Sequence, residues 1–174
     1  ALTNSYNPPA VRVLRLQQDD DGTFSTVLNF ARDTLKLSSL QDDDKNGLAP
    51  LSLGALSKGV TVLEMTRAFS VYANKGTFTD SRSYTRVESY SGKTVLQKDV
   101  SKQSVYSEQT AYLMTYTLEN VVAETYFGRA AKVYGVETAG KTGTTSFYND
   151  RWFIGYTPYY LAGIWGGYDY NHSV

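Results

Sequence analysis

Three strand-length runs crowd the end of this sequence: Glu137–Ser146, Asp150–Tyr156 and Tyr160–Tyr168. Asn149-Asp150 and Thr157-Pro158 mark the turns between them. Connections this short bring a strand back beside its predecessor in the opposite direction, because a parallel neighbour needs a crossover of about a dozen residues. The tail therefore reads as an antiparallel meander that upstream segments must cover.

Those segments are mostly helical. Pro8-Pro9 opens a helix over Ala10–Leu16, with proline in the first turn. Asp19-Asp20-Asp21-Gly22 is a turn. Thr23 to Leu37 places Phe24, Val27, Leu28, Ala31 and Leu35 at helical spacing. A polar loop, Gln41 to Gly47, leads into an apolar connector, Leu48 to Leu56. The strongest helix signal covers Thr61 to Asn74, where Thr61 and Glu64 form a capping box and Lys75-Gly76 stops the run. Phe78 to Val100 reads as β, with a hairpin turn at Ser91-Gly92-Lys93. Ser107 caps a further helix to Ala123, lined by Ala111, Met114, Leu118, Val121 and Val122. The expected class is α+β: an antiparallel sheet flanked by helices. No linker or repeat interrupts residues 1–174, which read as part of one domain.

Composition excludes several functions. Lys+Arg is 17 and Asp+Glu is 17, so no basic surface predicts a nucleic-acid partner. Without cysteine there is no disulfide and no thiolate metal site. No apolar run approaches the roughly 18 residues that cross a bilayer. The opening at Ala1 carries no signal peptide and suggests a fragment or a processed piece. Fifteen tyrosines, several of them late (Tyr148, Tyr156, Tyr159, Tyr160, Tyr168, Tyr170), suit sheet packing with wet hydroxyl ends or a wall for an extended polymer.

Lys141-Thr142-Gly143-Thr144-Thr145 packs a cation, a glycine and three hydroxyls into five residues. That set suits a carboxylate bound beside a reacting carbonyl: charge from lysine, donors from the hydroxyls, close backbone approach at glycine. Ser5-Tyr6-Asn7, an S-x-N triplet, stands just before Pro8-Pro9. Asp42-Asp43-Asp44-Lys45-Asn46-Gly47 imitates half of a calcium loop, but the twelfth position is Leu53 where a carboxylate is required, so it reads as a solvated loop and no metal is expected. His172 is the only histidine, which argues against a Ser-His-Asp triad.

S-x-N and K-T-G in this order accompany S-x-x-K in penicillin-binding proteins and related β-lactamases. The chain resembles the transpeptidase domain of penicillin-binding proteins, most closely the bifunctional class A kind. Matching text runs through Pro9-Ala10-Val11-Arg12, Leu51-Ser52-Leu53-Gly54, Gly59 to Met65, Tyr72 to Gly76 and Gly128-Arg129-Ala130-Ala131. It continues from Thr138 to Lys141 and from Asp150 through Pro158 to Trp165-Gly166-Gly167-Tyr168-Asp169. One departure is Glu124-Thr125-Tyr126-Phe127, where the family commonly has a G-T-G-like stretch; Gly128 to Ala131 itself suits a loop-to-helix joint more than a contact with the substrate groove.

The resemblance implies a β-lactamase/D,D-transpeptidase-like fold and cell-wall cross-linking by serine acyl transfer from D-Ala-D-Ala stem peptides of peptidoglycan. β-Lactams would acylate the same serine. By family position Ser5 relays a proton to the leaving group, and Asn7 holds the substrate amide. Lys141 sets the local charge, while Thr142, Gly143, Thr144 and Thr145 bind substrate, with the Thr144 N–H as half of an oxyanion hole. No cofactor is implied. None of the nine lysines has serine three residues before it. The nucleophile is thus expected on a preceding segment carrying S-x-x-K, and residues 1–174 are expected to be the C-terminal part of the domain. The implied location is the extracytoplasmic face of a bacterial cell membrane, through an anchor and beside a glycosyltransferase domain that both lie outside this chain. A β-lactam-sensing or non-catalytic module on the same fold is the alternative, and a β-lactamase or carboxypeptidase is a further one.

Overall fold

The computed structural model describes residues 1–168; Asp169, Tyr170 and His172 lie outside the described residues. Helix α1, Asn7–Arg15, carries the two prolines in its first turn, where no intrahelical N–H is lost. Helix α2, Ser25–Asn29, runs on into a wider π-helical turn, Phe30–Thr34. The predicted single helix is thus broken in character: Leu35 N–H reaches back five residues to the Phe30 carbonyl, and Lys36 turns left-handed at φ 58°.

Residues Asp42–Asn46 form a 3₁₀ turn and Leu48–Leu53 a short helix, α3, closed by left-handed Gly54. The expectation of a solvated acidic loop is corrected at one residue. Asp44 is 0% exposed, and accepts the Ser57 N–H and hydroxyl, both at 2.8 Å, and the Gln41 N–H at 2.9 Å. Its carboxylate is an internal tie, filled by protein donors.

Helix α4, Val62–Ala73, is the central pillar. Its capping box forms as the spacing predicts, with the Glu64 N–H donating to Thr61 Oγ1 and the Thr61 N–H to Glu64 Oε2. The same carboxylate takes the Ser38 hydroxyl at 2.6 Å, the Ser39 N–H at 2.9 Å and the Ser39 hydroxyl at 2.5 Å. One side of α4 offers Ala68 to a cluster with Leu28, Leu37 and Leu40. Its other side offers Phe69 and Tyr72 to a second cluster built on Leu118, Ala139 and Tyr156. Helix α5, Glu108–Glu124, is capped by the Ser107 hydroxyl and buries Ala111, Leu118, Val121 and Val122, the face read from the sequence. One further helical turn, α6, Tyr126–Arg129, follows; the loop-to-helix joint expected over Gly128–Ala131 is instead the end of this helix passing into a turn, and a methyl on Gly128 would overlap the Val121 carbonyl.

All strand pairs among the described residues are antiparallel, but they form three sheets and not one. Strand β1, Thr77–Thr79, pairs with β4, Lys102–Ser104. Strands β2, Arg86–Glu88, and β3, Thr94–Gln97, make an exposed hairpin. The tail is the predicted meander: β5 Ala139–Thr144, β6 Asp150–Tyr156 and β7 Leu161–Gly167, in that spatial order. Of its tyrosines, Tyr156 packs in the core and shares a 2.8 Å hydrogen bond with the Thr115 hydroxyl. Tyr148, Tyr159, Tyr160 and Tyr168 are exposed.

Candidate active site

Strand β5 positions the site. Its register sets Lys141 opposite Ile154, Gly143 opposite Trp152 and Thr144 opposite Arg151. Side chains alternate, so Lys141 and Gly143 share the helix-packed face with Ala139, while Thr142 and Thr144 share the other. Gly143 is needed for packing as well as for access: a Cβ there would stand 3.3 Å from Trp152 Cβ, tighter than ordinary contact.

The other edge of β5 carries no strand among the described residues. The Thr145 N–H donates to the Asp150 carbonyl at 3.2 Å, which fixes the alternation of the ladder. Two-residue alternation then turns the N–H and C=O of Thr144 and Thr142 toward the open edge. An extended chain arriving there meets main-chain donors and acceptors, with two threonine hydroxyls beside them.

Ser5 comes to this strand from the opposite end of the sequence. The Leu2–Ser5 turn closes with the Ser5 N–H on the Leu2 carbonyl at 3.1 Å, and α1 begins two residues later. Ser5 holds φ 54°, the left-handed region that costs a non-glycine residue of order 1 kcal/mol or more. In that conformation its hydroxyl accepts the Lys141 ammonium across 136 residues of chain. A second Lys141 donor goes to the Thr142 carbonyl at 2.7 Å. Among the described residues no carboxylate pairs with Lys141. Burial pushes its pKa below the ordinary lysine value. A half-buried, unpaired ammonium against a hydroxyl can attract an anion and move a proton to or from that hydroxyl.

The structure thus joins Ser5 to Lys141 and lines Thr142, Gly143 and Thr144 along one open edge. Asn7 stands exposed on the first turn of α1, and none of the hydrogen bonds to Ser5 or Lys141 among the described residues comes from it. The Thr145 hydroxyl, though exposed, is committed to the turn: it donates to Asp150 Oδ2 at 3.0 Å and accepts the Asp150 N–H at 2.9 Å. Asp150, which the sequence marks as a turn residue and the start of a strand and of a family-matching block, also accepts the Trp165 Nε1–H at 2.9 Å through Oδ1. The signal for this contact was a hydroxyl and a carboxylate flanking a tight hairpin connection.

Comparison with known proteins bears on this geometry. Residues 3–163 match the family model described as the penicillin binding protein transpeptidase domain. Penicillin-binding protein 1A of Clostridium botulinum is 37% identical over all of this chain, which covers 20% of that relative. Penicillin-binding protein 4 of Bacillus subtilis is 34% identical over all of this chain, which covers 26% of that relative. The chain therefore spans between a fifth and about a quarter of the length of these curated relatives. Among solved structures, the PonA1 protein of Mycobacterium tuberculosis in complex with penicillin V superposes with a TM-score of 0.74 at 22% identity, over 95% of this chain and 46% of that one.

Proposed function

This chain belongs to the penicillin-binding protein transpeptidase family, and from that premise we propose that it forms the C-terminal part of the catalytic domain of a peptidoglycan D,D-transpeptidase. The observation that carries the proposal is the Ser5–Lys141 contact beside the open edge of β5.

The acyl-accepting serine and its lysine partner, in S-x-x-K, are assigned to a segment of the same protein that precedes Ala1; the absence of that motif from these 174 residues supports the assignment. That serine's oxygen attacks the carbonyl between two D-alanines of a stem peptide, and its proton is passed on. The carbon–nitrogen bond breaks, and D-alanine leaves as an amine with a proton relayed through Ser5. An amine from a neighbouring stem then attacks the ester, takes the acyl group and frees the serine, splitting one hard step into two. Lys141 draws in the terminal carboxylate, and the Thr142 and Thr144 hydroxyls hold it. The outward Thr144 N–H supplies half of the oxyanion hole, a donor typically worth about 3 kcal/mol. Asn7 meets the substrate amide from the first turn of α1. A β-lactam follows the same course, but its ring opens without a departing amine and the serine stays acylated. The complete protein would act at the extracytoplasmic face of a bacterial cell membrane, held by an anchor outside this chain and carrying a glycosyltransferase domain elsewhere. Among the described residues no helix is long and apolar enough to cross a membrane.

The test is covalent labelling of the complete protein with a fluorescent penicillin. Wild type should label, and Lys141→Ala should label about a hundredfold more slowly, the loss typical of removing one electrostatic group from such a site. An unlabelled wild type, or undiminished labelling of Lys141→Ala, defeats the assignment.

A further inference from the structure

The connection between β5 and β6 holds two consecutive non-glycine residues in the left-handed region, Phe147 at φ 61° and Tyr148 at φ 60°. Such a turn persists only where its surroundings over-determine it. Thr145 and Asp150 supply that constraint. The one proton of the Thr145 hydroxyl goes to Asp150 Oδ2, the same hydroxyl accepts the Asp150 N–H, and the two residues also share the Thr145 N–H to Asp150 carbonyl bond. The Tyr148 N–H closes on the Thr145 carbonyl at 3.1 Å. The far carboxylate oxygen of Asp150 is gripped by the Trp165 indole N–H, so the turn is tied across β6 to β7. The Trp165 ring lies where a Cβ on Gly167 would stand, and that Cβ would also sit 3.0 Å from the Asn149 carbonyl; only glycine leaves room for the ring beside the turn.

Thr144, with its outward N–H, is the residue immediately before this clasp. A hydroxyl has one proton to give, and that of Thr145 goes to Asp150. We infer that Thr145 is not a ligand of the substrate carboxylate, and that Thr145, Asp150 and Trp165 act together as positioning residues that hold Thr144 at the open edge. This rests on the transpeptidase function proposed above and assigns one of its threonines a different part.

The experiment compares second-order rates of acylation by a fluorescent penicillin in the complete protein. The variants are Thr145→Val, Thr145→Ser, Asp150→Ala, the double Thr145→Val/Asp150→Ala, and Trp165→Phe. Thr145→Val and Asp150→Ala should each slow acylation by about tenfold, and the double variant should be no slower than the worse single one, as for two residues in one network. Thr145→Ser keeps the hydroxyl and should recover the loss. Trp165→Phe keeps a ring against Gly167 and removes only the N–H, so it reads the clasp even if Asp150→Ala fails to fold; it should be about threefold slower. Losses that multiply to about a hundredfold in the double variant would overturn the inference, because independent sites add in free energy. Wild-type rates in Trp165→Phe would overturn it too. Labelled wild type with such results refutes the clasp alone, whereas unlabelled wild type removes the function on which it rests.

Discussion

Replacing Glu64 by glutamine tests the tie that holds α4 to the loop before it. The carboxylate is 6% exposed and receives five donors, from Ser38, Ser39 and Thr61. Burial alone would raise its pKa; the donors outweigh burial and hold it at about 2 against an ordinary 4.5. A folded value below the unfolded one means that the ion stabilises the fold above the unfolded pKa and loses that effect as pH falls toward 2. The difference corresponds to about 3 kcal/mol at neutral pH. Glutamine matches the shape but not the donors. The Ser39 N–H points at one carboxylate oxygen and the Thr61 N–H at the other, so either orientation of the amide sets an NH₂ against a backbone N–H. The expected loss for Glu64→Gln at pH 7 is about 3 kcal/mol, or roughly 6–12 °C in Tm for a chain of this size. Calorimetry on both proteins at pH 7 and pH 3 should show the gap narrowing by about 2 kcal/mol at the lower pH, because there the unfolded wild-type chain takes up the proton while the folded carboxylate stays mostly ionised. A gap that stays constant between the two pH values would refute the charge argument, and a Tm unchanged at pH 7 would refute the tie itself.

Two further outcomes are expected. Because burial lowers the Lys141 pKa, the alkaline limb of β-lactam acylation in the complete protein should fall below the ordinary lysine range, and Lys141→Arg should move that limb upward; a pH–rate profile with an unmoved limb would show that the lysine charge is not required. Gly163→Ala would drive a methyl into the Thr66 side chain where β7 crosses α4, and should cost about 1–3 kcal/mol in denaturant unfolding; wild-type stability would mean that these elements are less closely packed than described.

Local patterns were legible where a few neighbouring residues decide the structure. The Thr61/Glu64 box, the Ser107 cap and the closing meander follow from spacing alone, since caps and tight turns are settled within a handful of residues. What the sequence hid depends on distant partners. Glu64 reads as a cap, yet Ser38 and Ser39 reach it from a loop 26 and 25 positions away. Asp44 reads as solvated because its donor Ser57 lies 13 positions on. Strand β1 finds its partner in Lys102–Ser104, beyond the run from Phe78 to Val100 that the alternation marked. In the site, the motif resemblance brought out Ser5, Asn7 and Lys141, but nothing local announced the left-handed turn at Ser5, which a glycine would have signalled. Asp150 stood out as a turn and as the first residue of a matching strand, but its side-chain role was hidden because its partners Thr145 and Trp165 lie on two other segments.

The bond between Lys141 and Ser5 closes a loop of 136 residues. Bringing such distant positions together carries an entropic penalty, which the packing of α4, the two clusters on its flanks and the meander offsets. A molecule with the Leu2–Ser5 turn or β5 out of place lacks this junction altogether. During refolding of the complete protein, penicillin labelling should recover after the helical signal, the lag timing the docking of Ser5 on Lys141; labelling that returns together with the helical signal would refute a late junction.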